Sequence, residues 1–209
     1  MLDHSMAVAS EIEPVAAGIL LWRVFDPAVK ADLFSTAIMT TAGSCLIDPV
    51  ALTSDAVAEL HARSPIAGIV VTNQNHERAA VSFAEEFNVP IHGHAALGEG
   101  ISLRKVEPVD DRRIFAAGLT AIEIDGGPIG EIAIHSNHDG GSMIVGDALI
   151  NFEPYGFTFL PPKYCSNAKT MRRSLSKLLD YNFERVLFAH GTPILAGARH
   201  RLEELLRHR

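Results

Sequence analysis

The chain has 209 residues, enough for one domain with a sizeable core and short for two. With 47% hydrophobic and 21% charged residues its composition is that of an ordinary globular protein, and the formal charge of −7 argues against nucleic-acid or anionic-membrane partners, which want a basic face. The two cysteines, Cys45 and Cys165, fit no zinc-ligand or disulfide spacing, so a reduced cytoplasmic protein is the simplest inference.

Near the N-terminus, Asp3, Glu11 and Glu13 replace the basic region that opens a secretory signal, and the apolar run from Ala16 to Leu21 is too short to cross a bilayer. Ile19 to Phe25 reads as a strand that ends in a turn at Asp26-Pro27. A second β-rich block, Ala37 to Thr41, passes through Ala42-Gly43 into Ser44 to Ile47 and breaks at Asp48-Pro49. Thr53 or Ser54 caps a helix through roughly His61, with Ala56, Val57 and Leu60 on one apolar face.

Ile66 to Val71 is an unbroken apolar run, the mark of a strand buried on both sides. It stops at Thr72. The polar loop Asn73, Gln74, Asn75, His76, Glu77 and Arg78 follows, and an amphipathic helix then runs from Ala79 to near Asn88. That order puts the loop at the carboxyl end of a buried strand, where open α/β sheets place their ligand sites. Val89-Pro90-Ile91 reads as a short strand leading into His92-Gly93-His94, which completes a βαβ rhythm.

From about Ser102 to Ile150 the pattern is short strands and tight turns. The strand candidates are Arg113 to Ala117, Thr120 to Ile124, Glu131 to His135 and Ser142 to Val145. Between them lie turns at Gly118-Leu119, Asp125-Gly126-Gly127-Pro128 and Asn137 to Gly141, the last a hairpin signal. After Asp147 the stretch Phe152 to Tyr164 reads as irregular, aromatic and proline-rich. Ser166 or Asn167 caps a helix to about Tyr181, Arg185 to Ala189 is a strand, and Ala198 to Arg207 is a final helix. Arg199, Arg201, Arg207 and Arg209 alternate there with Glu203 and Glu204, as on a solvated helix face.

Several segments together resemble the metallo-β-lactamase-fold hydrolases. A strand ending in Thr72 before a short polar loop and a helix is the setting of that family's metal loop. Leu46-Ile47-Asp48 resembles the early hairpin strand, and Gly118-Leu119 through Gly130 the strand and turn before the third metal ligand. Val145-Gly146-Asp147 resembles the Gly-Asp that supplies a bridging carboxylate, and Phe188-Ala189-His190-Gly191 the strand-end histidine. The ordered set spans roughly Ile19 to Leu206. It implies one domain of the α+β class, a four-layer αββα sandwich with two packed sheets and helices outside.

The family's ligands carry over only in part. Its loop reads Thr-His-x-His-x-Asp-His, and here Asn73 and Asn75 stand at the two spaced histidines, Glu77 at the aspartate and Arg78 at the last histidine. The third-ligand turn fits best on Asp125 to Glu131, with Gly127 at the ligand position. Placing it on His138 leaves too few residues before Asp147 for a strand, turn and strand, so His138 reads as a solvated hairpin residue. Asp147 and His190 survive. A catalytic zinc takes about three protein ligands. A guanidinium about 4 Å from a unit charge of like sign costs roughly 4 kcal/mol at an effective dielectric near 20, and a divalent ion about doubles that. A tight two-metal centre is therefore not expected.

Two readings follow. In one, a single divalent metal (zinc, manganese or iron) sits on Asp147 and His190, with His76 or Glu77 completing the set, and Asp147, His190 and Glu77 serve metal-assisted hydrolysis of an unknown small molecule. In the other, no metal binds: Arg78 pairs bidentately with Asp147, and the protein is a non-catalytic binding or interaction module. Asn73, Asn75, Arg78, Lys163 and Tyr164 are the candidate substrate or pocket contacts. His92 and His94 share a face if they lie on a strand, as paired ligands sometimes do, although chance or packing is the favoured explanation. Phe152, Tyr155, Phe157 and Phe159 line an apolar pocket, form a homodimer contact or are plain core aromatics.

Overall fold

The protein is described by a computed structural model covering residues 7–99, 106–116 and 118–207. The readings that touch Asp3, Ser102, Ala117 and Arg209 lie outside the described residues.

In chain order the first elements are β1 (Glu13–Ala16), β2 (Ile19–Asp26), β3 (Ala31–Thr40), β4 (Gly43–Ile47), α1 (Ser54–Arg63), β5 (Ile66–Val71), α2 (Ala80–Phe87), β6 (Ile91–Gly93) and β7 (Val106–Pro108). These strands form one sheet in sequence order. β1 to β4 run antiparallel, and β4 to β7 are parallel with α1 and α2 as crossovers. Thr53 caps α1 as expected, its side chain accepting the Ala56 N–H.

The second half contains β8 (Ile114–Phe115), β9 (Leu119–Glu123), β10 (Ile132–Ser136), β11 (Ser142–Val145), β12 (Leu149–Phe152), β13 (Gly156–Phe159), α3 (Ala168–Ser174), β14 (Arg185–Phe188) and α4 (Ala198–Arg207). A second sheet has the order β14-β11-β10-β9-β8, with β11 and β14 parallel.

Strand alternation explains the layering. In β2, Ile19 and Leu21 face the second sheet while Leu20 and Trp22 face α1 and α2. In β10, Ile132 and Ile134 face the first sheet, and Ala133 joins Met171, Leu175, Leu202 and Leu206 under the C-terminal helices. Three apolar layers separate four structural ones, which is the αββα sandwich.

Some elements differ from the reading above. β3 starts at Ala31 rather than Ala37, because its half-buried start, Ala31 to Phe34, pairs with β2 in a hairpin that runs past the end of β4. Thr36 pairs with Ile47 and Ala31 with Asp26, so the hairpin overhangs the end of β4 by about 17 Å at ~3.3 Å per residue. Phe152 to Tyr164 is not irregular throughout: β12 and β13 form a hairpin whose Phe157 and Phe159 pack on the core beneath α3 and α4. The helix after Asn167 is α-helical only to Ser174 and continues as 3₁₀ turns over Leu175–Asp180. There Ser174 and Lys177 are tied to Glu123 and Asp125.

The topology gathers one edge. β4, β5, β11 and β14 all finish there, and β10 begins there. Backbone bonds join the two halves at this edge, among them the Ile132 N–H to Thr72 O at 2.9 Å, the Gln74 N–H to Ile129 O at 3.0 Å and the Phe34 N–H to Ala189 O at 3.0 Å.

Candidate metal centre

At that edge three donors converge. His76, Asp147 and His190 offer ligand atoms that all lie within 4.8 Å of one another, the group of this kind among the described residues. Asp147 follows β11 and His190 follows β14, neighbouring parallel strands, so their separation is set by backbone pairing. His76 comes from the opposite sheet, on the loop after β5. Its Nε2 lies 3.1 Å from Asp147 Oδ1, and His190 Nε2 lies 3.3 Å from the same oxygen.

Behind this trio stands a carboxylate that the sequence marks only as the end of a hairpin strand and the start of a turn. Asp48, at the end of β4, is 2% exposed. Its Oδ1 accepts the Thr72 N–H at 2.8 Å, and its Oδ2 accepts the Thr72 hydroxyl at 2.6 Å and faces His76 Nδ1 at 2.9 Å. The order is therefore Asp48, His76, Asp147, with the imidazole held between two carboxylates. A second missed group, Glu131, precedes β10. Its Oε2 accepts Asn73 Nδ2–H at 2.7 Å and its Oε1 accepts the Ala148 N–H at 2.9 Å. Gly146 is forced by this crowding: a Cβ there would lie 2.6 Å from Thr72 Oγ1 and 2.9 Å from Glu131 Oε1.

The charges follow from these contacts. Burial works against a protonated His76, but Asp147 and Asp48 overcome it and lift its pKa to about 9. Burial likewise opposes ionisation of Asp147, yet His76 and His190 hold that carboxyl well below the usual range. Asp48 behaves the same way under His76 and Arg78. Glu131 has no cation of its own, so burial and then the Asp147 charge push it up to about 8. Burial holds His190 below the ordinary histidine value against its bond to Asp147.

The expected Arg78–Asp147 pair is not formed. Arg78 Nη1 donates to Phe34 O at 2.6 Å and to Asp48 O at 2.9 Å, and Nη2 reaches Ala189 O at 3.4 Å. The guanidinium fork takes three backbone carbonyls where β3, β4 and β14 come together, two of which also accept other donors: Asp48 O the Ser35 hydroxyl and Ala189 O the Phe34 N–H. Arg78 is thus a staple across β3, β4 and β14, and the cation on Asp147 is His76.

Asn73 and Asn75 do reach Asp147, each donating from Nδ2 to Oδ2 at 3.2 Å. Asn73 Oδ1 accepts the Asn75 N–H at 2.8 Å, which fixes the amide so that its NH₂ faces the carboxylates. Glu77 is half-buried where α2 begins and stays outside the converging trio. Lys163 and Tyr164 are exposed, the ammonium 4.6 Å over the ring, with no hydrogen bond or ion pair to the trio among the described residues. His138 is exposed in its turn. His92 and His94 face Glu107 and Glu123, away from the trio.

A model of the metallo-beta-lactamase superfamily matches residues 16–208. The chain belongs to the metallo-beta-lactamase superfamily. That membership carries the general expectation of a metal-dependent hydrolase. Solved structures of this fold superpose over nearly the whole chain. The DIM-1 metallo-beta-lactamase shares 12% identity at a TM-score of 0.73, covering 98% of this chain and 99% of its own. A metallo-beta-lactamase from Pontibacter korlensis shares 12% at 0.74, covering 95% and 99%. TTHA1623 in a di-iron-bound form shares 22% at 0.63, covering 86% and 97%. No curated protein matches the chain.

The donor set present here fits a metal. Two imidazole nitrogens and a carboxylate oxygen are the three protein ligands of a typical catalytic site. Asp48 on the far nitrogen of His76 supplies the carboxylate that commonly orients a ligating histidine. The sequence hid this pairing because Asp48 and His76 are 28 residues apart; the available signal was that two adjacent parallel strands both end in polar side chains, Asp48 and Thr72.

Proposed function

We propose that this protein is a hydrolase using one divalent metal ion, zinc, manganese or iron, held by His76, Asp147 and His190. The observation that carries the reading is the buried Asp48–His76–Asp147 relay closing on His190. A bound ion would polarise a carbonyl or phosphoryl oxygen and lower the pKa of a water. Asp48 orients the His76 ring, and Arg78 fixes the carbonyl of Ala189 and with it the approach of His190. Asn73 and Asn75 present N–H donors where a second ion needs lone pairs, which supports a mononuclear centre.

The test is hydrolysis of p-nitrophenyl acetate and of bis(p-nitrophenyl) phosphate by protein loaded with each metal. The reading expects turnover of at least one ester that chelation removes and that His190→Ala lacks. Turnover indifferent to both treatments, or none with any metal, contradicts it.

One observation favours a second reading, a binding module without catalysis. Every Asp147 oxygen already has partners, His76 and His190 on Oδ1, Asn73 and Asn75 on Oδ2, and protonated His76 balances the carboxylate charge. Failure of any metal to bind would favour it.

A further inference from the structure

The chain is acidic, yet one stretch is not. Residues 154–179 hold five of the eighteen Lys and Arg residues and none of the twenty-five Asp and Glu, leaving thirteen cations against twenty-five anions elsewhere. Lys177 is paired with Asp125. Lys163, Lys169, Arg172 and Arg173 form no ion pair with any described residue. In a protein with an excess of carboxylates, four cations left without one form a local field that attracts anions.

The stretch also contains a concavity. Pro162, Ala168, Lys169 and Arg172 line an open pocket of about 330 Å³, the lower end of the range for small-molecule sites. Arg172 lies with its guanidinium 5.0 Å over the Phe159 ring, and its Nε is buried with no hydrogen-bond partner among the described residues. Buried donors without acceptors are rare, and a guanidinium fork matches an oxyanion.

The segment that carries the pocket is joined through its backbone to those that lead to and from the candidate centre. Phe159, beneath Arg172, pairs with Leu149 on the strand that leaves Asp147. The segment is bonded to the turn before Glu131 by Ser166 N–H to Gly127 O at 3.3 Å and Asn167 N–H to Gly126 O at 2.9 Å.

We propose that Lys169 and Arg172 form an oxyanion-binding subsite, and that the substrate is a small organic molecule with a carboxylate or phosphate remote from the bond cleaved. The clause about cleavage rests on the hydrolase reading; the subsite does not. Pro162 and Ala168 supply an apolar wall for the body of such a ligand. A pocket of this size and the acidity of the remaining surface favour a small anion over a nucleic acid or a membrane.

Two measurements separate the claims. The first is calorimetric titration of metal-free protein with phenyl phosphate and with phenylacetate, at low and moderate salt. Saturable binding of one or both is expected, weakened about tenfold or more (about 1.4 kcal/mol) in Arg172→Gln and in Lys169→Gln, and unaffected in Arg207→Gln. Binding by only one probe identifies the group as phosphate or carboxylate. No saturable binding, equal binding in the variants, or tighter binding of a fifteen-residue oligothymidine or of phosphatidylserine vesicles through the same residues overturns the subsite. The second compares metal-loaded hydrolysis of p-nitrophenyl acetate with that of mono-p-nitrophenyl succinate. A kcat/KM preference of about tenfold for the anionic ester, collapsing in Arg172→Gln, is expected, and equal rates overturn the substrate class. Absence of all hydrolysis counts against the hydrolase reading, while the titration still decides the subsite.

Discussion

Replacing Asp48 with Asn tests the relay from its buried end. The side chain keeps its volume and one acceptor oxygen but loses the charge that meets the Thr72 N–H, the Thr72 hydroxyl and His76 Nδ1. At 2% exposure no water replaces those partners. Hydrogen bonds to a charged group contribute about 1.5–3 kcal/mol each, and breaking one side of a buried pair costs about 3–5 kcal/mol. Because Asp147 still faces His76, a net loss of about 3 kcal/mol is expected, or roughly 6–12 °C in Tm for a chain of this length.

The loss has a pH signature. His76 has its folded pKa raised to about 9, so its contribution is fully present below about 6.5 and fades as pH rises through 9. Asp48 has its folded pKa lowered, so its contribution is present above about 3.9 and is lost on further acidification. The stability gap between wild type and Asp48→Asn is therefore widest between about pH 4 and 6.5 and narrows toward pH 9. Metal affinity, read by chelator competition, is expected to fall about 10–100-fold. A variant within 1 °C (about 0.4 kcal/mol) and twofold (~0.4 kcal/mol) of wild type would refute the argument.

Three further outcomes follow from the same contacts. Arg78→Met removes the staple from Phe34, Asp48 and Ala189 and is expected to cost about 2–4 kcal/mol by denaturant unfolding, with Arg78→Lys recovering only part because an ammonium lacks the fork. Metal binding at pH 7 is expected to release about one proton per ion, since His76 is protonated below about 9 and must yield its Nε2 proton; calorimetry in buffers of different ionisation heat reads this, and release should vanish above that pH. Gly191→Ala places a Cβ 2.2 Å from Asn151 O at a φ of +118°, so it should unfold the β14 end and abolish metal retention, visible as a lower Tm and an empty centre.

Much of the layering was legible because it rests on local pattern. The unbroken run Ile66 to Val71, the Thr53 cap and the final helix all appear where periodicity and capping place them. The candidate site was legible by position only. Asn73 to Arg78 marked the loop that carries His76, but loop spacing does not fix which way a ring points, and His76, at a spacer position, turns inward because Asp48 and Asp147 lie on either side of it. Asp48 and Glu131 were hidden for the reason that makes them consequential: their partners lie across strands, at Thr72, His76, Asn73 and Ala148. Arg78 was misread because a charge argument favoured the nearest carboxylate, whereas the carbonyls of Phe34, Asp48 and Ala189 gave the guanidinium a better-shaped set of acceptors.

The most direct test of the central claim is a count of metal per chain, by elemental analysis of protein loaded with zinc, manganese or iron and then desalted. The account predicts one ion per chain, lost in His76→Ala, Asp147→Ala and His190→Ala alike. No retained metal, or two ions per chain, would contradict it.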